Sequence, residues 1–205
     1  MRIAEPWLAG YAGVVQRIGL YGGSFDPVHL GHLLVARAAR EELALSAMLF
    51  IPAAQSPFKT DQPLAPASAR GAMLRLALAG ETACEIDNQE LGRGGVSYTI
   101  DTVREVARRH PGASLYYLIG ADHLAKLPSW READALAQMV DFVVLPRPGE
   151  EGTLPPAPFR ARFLQGFPLG LSSSQIRARR RRRQPIDHLV APAVAEYIYN
   201  NGLYL

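Results

Sequence analysis

Eleven consecutive residues, Gly22-Gly23-Ser24-Phe25-Asp26-Pro27-Val28-His29-Leu30-Gly31-His32, put two imidazoles beside three glycines and a proline. They follow an apolar run of strand type and precede a helical one. Two glycines after a buried strand let the backbone turn sharply and let a ligand approach with no Cβ in the way. His29 and His32 lie three apart at the mouth of the helix, so both can face one side. Gly31 removes bulk where an anion would meet the helix N-terminus. Imidazole donors and helix-end amides together suit phosphoryl oxygens. A metal centre on the two histidines would need a carboxylate or cysteine at ligand spacing, and none is found there. Simple helix capping accounts for two polar residues but not for glycines, proline and both histidines packed together.

A second group is Leu171-Ser172-Ser173-Ser174-Gln175-Ile176-Arg177. Serines ahead of a helical run supply caps and hydroxyls, and the helix start has unpaired amides. Arg177, one turn inside, can fork onto phosphate oxygens. An ordinary capped helix with a surface arginine would look the same if this segment stood alone.

The elements that must carry these groups alternate. Strand-type runs occur at 17–21, 47–52, 83–87, 114–120 and 139–146, with one more at 162–167. Helical runs occur at 32–45, 68–80, 97–110, 172–183 and 191–202. Ser97 is expected to cap the third helix, Pro111 to end it, and Gly80 to sit at the C′ position of the second. The pattern predicts an α/β fold: a Rossmann-like, doubly wound parallel sheet with helices on both faces. Ligands bind such sheets outside the carboxyl ends of the strands, where the strand order reverses. Residues 1–16 read as an N-terminal extension and 17–205 as a single domain, with the Pro/Gly-rich stretch 146–158 as a surface loop.

Composition narrows the class. No apolar run approaches the ~18 residues of a membrane span, and the first residues make a poor signal peptide. The single cysteine, Cys84, excludes an internal disulfide. A cytoplasmic protein with no membrane partner is expected. There is no G-x-x-x-x-G-K-[ST] loop, and no G-x-G-x-x-G follows the first strand, so neither P-loop nor hydride chemistry is supported. Of 22 basic residues, six lie at Arg177 and 179–183. The run suits a phosphorylated partner, or is a solvated helix face.

"GGSFDPVHLGH" resembles the H-x-G-H motif of the nucleotidylyltransferase superfamily, in its G-G-[ST]-F-D-P-x-H-x-G-H form. "LSSSQIR" is similar to the partner motif I-S-S-T-x-I-R. The resemblance covers nearly the whole chain after residue 17 and narrows to the bacterial-type nicotinate-nucleotide adenylyltransferases. "IPAAQSPFK" is similar to P-x-x-x-P-P-H-K, with Ser56 and Phe58 in place of a proline and a histidine. "DNQELGRGGVSYTIDT" resembles D-x-E-x-x-x-x-G-x-S-Y-T-x-D-T, and "LIGADHLAKLPSW" the G-x-D…W segment. "LPRPG" and "IDHLVAPAVAEYIYNNGLY" resemble the family's R-P-G loop and final helix. The family commonly has an apolar residue near Arg180 and a glycine near Arg183; both are arginine here, so that helix can be longer or packed differently.

The resemblance implies attack by the phosphate of nicotinate mononucleotide on the α-phosphorus of ATP, giving nicotinate adenine dinucleotide and pyrophosphate. It implies catalytic roles for His29, His32 and Arg177. ATP would also meet Gly23, Ser24, Phe25, Gly120, Asp122, Arg147, Ser173 and Ser174. Nicotinate mononucleotide would meet Lys59, Tyr98, Thr99 and Trp130. Mg²⁺ is expected on the ATP phosphates, with no protein metal site. Other members of the superfamily, transferring to nicotinamide mononucleotide or pantetheine phosphate or using CTP, share the two phosphate motifs but not the "SYT…GAD…W" middle. An RNA binder should interleave aromatic and basic residues, and none sits among 179–183, so no nucleic-acid partner is expected. The sequence leaves a homo-oligomer open.

Overall fold

Six short segments build one sheet, and the four central ones, apolar along their length, alternate their side chains between two cores. In the computed structural model, which describes residues 15–55, 57, 64–145, 154–166 and 169–205, the strands are β1 (Arg17–Gly23), β2 (Ala47–Pro52), β3 (Cys84–Ile86), β4 (Ser114–Gly120), β5 (Val140–Leu145) and β6 (Ala161–Phe163). All neighbours pair in parallel, in the order β3-β2-β1-β4-β5-β6. The chain winds outward from β1 to β3, returns to β4 beside β1, and winds the other way. The strand order therefore reverses between β1 and β4, which is where such sheets open a crevice.

The helices are α1 (Leu30–Glu42), α2 (Ala67–Ala77), α3 (Gln89–Arg93), α4 (Thr99–Arg109), α5 (Ala121–Leu124), α6 (Ala133–Met139), α7 (Ser173–Arg181) and α8 (Pro192–Asn200), with a 3₁₀ turn at Leu127–Ser129. Ile18, Leu20, Leu49, Ile51, Leu115, Tyr117 and Ile119 pack with Ile100, Val103 and Val106 of α4 and with Leu136 of α6. The alternate residues Tyr21, Met48, Phe50, Tyr116 and Leu118 pack with Ala36 and Ala39 of α1, Met73 and Leu74 of α2, Ile176 of α7 and Ile198 of α8. This period of two, buried on both faces, is why the strands read as continuous apolar runs. Burying a side chain such as Phe50 contributes roughly 2–3 kcal/mol, offset by the entropy of ordering the chain.

The doubly wound sheet is as the sequence predicts, and the element boundaries differ in instructive places. Helix α1 begins at Leu30, so His29 is its N-cap and His32 its third residue. Helix α4 begins at Thr99, with Tyr98 as N-cap, so the expected cap Ser97 lies outside it. The Ser97 hydroxyl instead accepts the Ala54 N–H at 3.0 Å and ties this turn to the end of β2. Gly80 has a φ of 88° but lies one residue beyond C′, because Leu78 is the C-cap. The last expected strand is shorter, 161–163, and the loop residues 146–153 lie outside the described residues, as do 1–14 of the extension.

The arginine run divides. Arg179 donates to the Pro185 carbonyl at 3.0 Å, and Arg180, only 8% exposed, lies over the Tyr199 ring at 4.7 Å. Arg180 thus fills an apolar position with its stem and stacks its head on α8. Arg183 takes a φ of 55°, the left-handed conformation that a glycine adopts freely. The helix is not extended by it. Arg181, Arg182 and Arg183 are exposed. Among the described residues, no helix is long and apolar enough to cross a membrane.

Candidate active site

The first turn builds a rigid imidazole pair. The His29 backbone N–H donates to His32 Nδ1 at 3.1 Å, and the two rings stack with centroids 3.7 Å apart. A neutral imidazole whose Nδ1 accepts must carry its proton on Nε2. His32 therefore offers an Nε2–H donor, and its ring is braced by Phe25 at 5.1 Å and Tyr21 at 5.8 Å. His29 is only 6% exposed, and burial lowers its pKa to about 4, so it is uncharged at neutral pH. Gly31 has a further reason: a Cβ there would sit 3.0 Å from His29 Nδ1. The glycine thus makes room for the imidazole. Likewise a side chain on Gly22 would overlap the Tyr117 hydroxyl.

The second motif docks directly on this turn. Ser172 caps α7: its hydroxyl accepts the Gln175 N–H at 3.3 Å, and its own N–H donates to Gln175 Oε1 at 2.8 Å. The Ser173 hydroxyl donates to the Pro27 carbonyl at 2.9 Å, and Arg177 donates to the Asp26 carbonyl at 2.7 Å and to the Ser174 hydroxyl at 3.2 Å. Segments about 150 residues apart in sequence are thus held together by hydrogen bonds across 146 and 151 positions. The first-turn amides of α7 at Ser173 and Ser174 have no acceptor four residues back within the helix, and they carry the positive end of its dipole.

A cleft of about 370 Å³ runs from this junction toward α4, within the usual range of small-molecule sites. Its walls include Gly23, Ser24, Phe25, His29, His32, Gly120, Ser173, Ser174 and Arg177 at one end and along the sheet. At the other end are Thr99 and Trp130, with Glu90, Ser97 and His123. Of the residues expected on sequence grounds, the structure therefore brings eleven to one cleft. Phe25 lines it with only 2% of its surface exposed, from a left-handed φ of 47°. Trp130 stands edge-on to Tyr117 and Phe142, so part of its role is core packing.

Two expected residues do not line the cleft. Tyr98 is covered by Arg131 at 4.7 Å, and Asp122 is exposed beside His123 at 3.7 Å. Lys59 and Arg147 lie outside the described residues.

Sequence reasoning missed the supports. Arg70, 2% exposed, donates to the carbonyls of Ser24 (2.8 Å), Ala53 (2.7 Å) and Ala65 (3.1 Å), pinning the glycine turn to the loop after β2. Asp26, 1% exposed, accepts from the Tyr204 hydroxyl at 2.7 Å. Glu90, 4% exposed, accepts from the Thr102 hydroxyl at 2.6 Å, and burial raises its pKa. Asp26 and Glu90 stand inside the quoted motifs, so a signal existed. Nothing in the spacing points from Tyr204 to Asp26.

The arrangement presents neutral donors, helix amides and one guanidinium, a set suited to an anion, and a polar, aromatic-walled end suited to a second group. Among the described residues, no cluster of three or more histidine, cysteine or carboxylate side chains could cage a metal ion.

Comparison with known proteins agrees with this geometry. The family model described as Cytidylyltransferase-like matches residues 20–179. A protein of Thermus thermophilus described as a probable nicotinate-nucleotide adenylyltransferase is 42% identical over 192 residues, covering 92% of this chain and all of that one. One of Gemmatimonas aurantiaca with the same description is 44% identical over 196 residues, covering 92% of each chain. Among solved structures, the Plasmodium falciparum nicotinic acid mononucleotide adenylyltransferase complexed with NaAD superposes with a TM-score of 0.76 at 19% identity, covering 92% of this chain and 97% of that one. That likeness is one of fold. With a motif pair converging in one cleft and relatives of this identity along almost its whole length, the chain belongs to the nicotinate-nucleotide adenylyltransferase family.

Proposed function

We propose that this protein transfers the adenylyl group of ATP to nicotinate mononucleotide, giving nicotinate adenine dinucleotide and pyrophosphate. An oxygen of the mononucleotide phosphate attacks the α-phosphorus, a new P–O bond forms, and the bond to the β-phosphate oxygen breaks with its electron pair leaving on pyrophosphate. No general base is required, because a phosphate monoester with a second pKa near ~6 is already largely dianionic at neutral pH. The work left to the protein is to align two repelling anions and to stabilise charge on the leaving group.

His32 supplies an Nε2–H toward the α- and β-phosphates. His29, kept neutral by burial, supports the same oxygens without drawing a proton from solvent. Arg177 and the first-turn amides of Ser173 and Ser174 hold the β- and γ-phosphates. Gly23, Ser24, Phe25 and Gly120 border the nucleoside, with Asp122 and Arg147 as further adenosine contacts and Lys59 as a cation beside the reacting phosphates. At the opposite end the α4 amides near Thr99 take the nicotinate carboxylate, and Trp130 walls the pyridine ring. Tyr98 contributes through its place as the α4 N-cap, since its ring lies under Arg131. Mg²⁺ would be held by the triphosphate rather than by side chains of this chain, and would there screen the phosphate charge. Where the two motifs meet, the site's groups are donors suited to anions, and Asp26 Oδ1 is already taken by the Tyr204 hydroxyl and the Ala65 N–H.

The observation that carries this reading is the docking of the serine-arginine helix onto the histidine turn through Ser173–Pro27 and Arg177–Asp26. Pyrophosphate release measured with ATP and either nicotinate or nicotinamide mononucleotide tests it. The nicotinate substrate is expected to turn over at least tenfold faster by kcat/KM, since a site with donors for a carboxylate rejects a neutral amide. Equal rates would remove the carboxylate assignment, and no release with either would remove the function.

A further inference from the structure

Asp26 is the most enclosed charged side chain among the described residues, 1% exposed, and it belongs to the first motif while facing Arg177 of the second. Its Oδ1 accepts the Tyr204 hydroxyl at 2.7 Å and the Ala65 N–H at 3.2 Å. Its Oδ2 makes no hydrogen bond and faces the Arg177 guanidinium at 3.7 Å. That guanidinium already spans the Asp26 carbonyl and the Ser174 hydroxyl, and it borders the cleft. Arg177 is therefore a small displacement away from closing a full ion pair with the carboxylate, and such a pair would draw it off a nucleotide.

What opposes that collapse, beside the charge of Arg70, which also acts on Asp26, is the pair of neutral donors on Oδ1. In a poorly solvated setting a carboxylate given fewer donors pulls harder on the nearest cation. Tyr204 reaches Asp26 from 178 positions away, on a backbone φ of 62° that side-chain-bearing residues rarely adopt. Burial, followed by the contact with Asp26, pushes its phenol above the ordinary tyrosine range, so the hydroxyl stays a donor. Packing alone does not require an O–H at this position.

We propose that Tyr204 is a positioning residue for the triphosphate: by satisfying the Asp26 carboxylate it keeps the Arg177 guanidinium free to bind the β- and γ-phosphates. This rests on the phosphate role given to Arg177 above.

The test is calorimetric binding of ATP and of AMP to the full chain, to Tyr204→Phe, to Arg177→Ala and to the double variant. AMP lacks the two phosphates that Arg177 would hold. Tyr204→Phe keeps the ring and removes only the hydroxyl. It should weaken ATP about tenfold, the scale of a hydrogen bond to a charged group, and leave AMP within about twofold. In the Arg177→Ala background the same change should weaken ATP by no more than about twofold, because the two effects run through one group. Equal losses for ATP and AMP would show a general disturbance and overturn the proposal, as would no loss for either. Losses that multiply in the double variant would also overturn it, while leaving the role of Arg177 intact. If Arg177→Ala alone binds ATP normally, the phosphate assignment itself fails and the positioning role falls with it.

Discussion

Replacing His29 with glutamine should remove a share of folding stability that depends on pH. The ring is 6% exposed, its Nδ1 has no hydrogen-bond partner, and it lies flat against His32, on the turn whose Asp26 faces Arg177 of the second motif. Burial lowers its pKa from 6.5 to about 4. The folded state thus keeps the neutral form where the unfolded chain takes up a proton. Stability from this group is complete above about pH 6.5, declines as pH falls, and levels off below about pH 4. Each unit is worth about 1.4 kcal/mol, so the full loss is about 3 kcal/mol, of which about 2 kcal/mol has gone by about pH 5. Urea unfolding of the wild type and His29→Gln at about pH 7.5 and about pH 5 measures it, because titrations shared by both proteins cancel in the difference. The stability gap should narrow by about 2 kcal/mol toward the lower pH. A gap that stays constant would mean the imidazole is not buried neutral, and the uncharged-donor role would fail.

Three further outcomes follow from the same geometry. His32→Ala should lower kcat by about 100-fold or more with the thermal melt unchanged, as for loss of one preorganised donor; retained turnover would take that imidazole out of the mechanism. Gly22→Ala drives a methyl into the Tyr117 hydroxyl and should cost about 1–3 kcal/mol in urea unfolding, partly recovered by Tyr117→Phe. Arg183→Gly relieves a left-handed φ of 55° on an exposed residue and should raise stability by about 0.5–1 kcal/mol, with activity unchanged.

The sheet was legible because its signal is local and redundant. Strands such as 114–120 are apolar throughout, as burial on both faces requires, and helices of clear period separate them. Boundaries were less so, because a cap is decided by tertiary partners. Ser97 looks like a cap but bonds across to Ala54, while His29 and His32, read as ligand groups, also open α1. The meeting of the histidine and serine-arginine segments in one cleft was legible because each is a short motif, contiguous in sequence. The supports were not. Arg70 reads as a helical arginine and Tyr204 as a residue of the closing segment until the fold delivers them to Ser24 and Asp26. Long-range hydrogen bonds of this kind leave no period and no spacing behind.

The account stands on both motifs closing around one polyphosphate. A crystal structure with a non-hydrolysable ATP analogue tests that most directly. It should show the α-phosphate within hydrogen-bond reach of His32 Nε2 and the β- and γ-phosphates on Arg177 and the amides of Ser173 and Ser174. Triphosphate density in contact with only one of the two segments, or lying outside the cleft altogether, would contradict it.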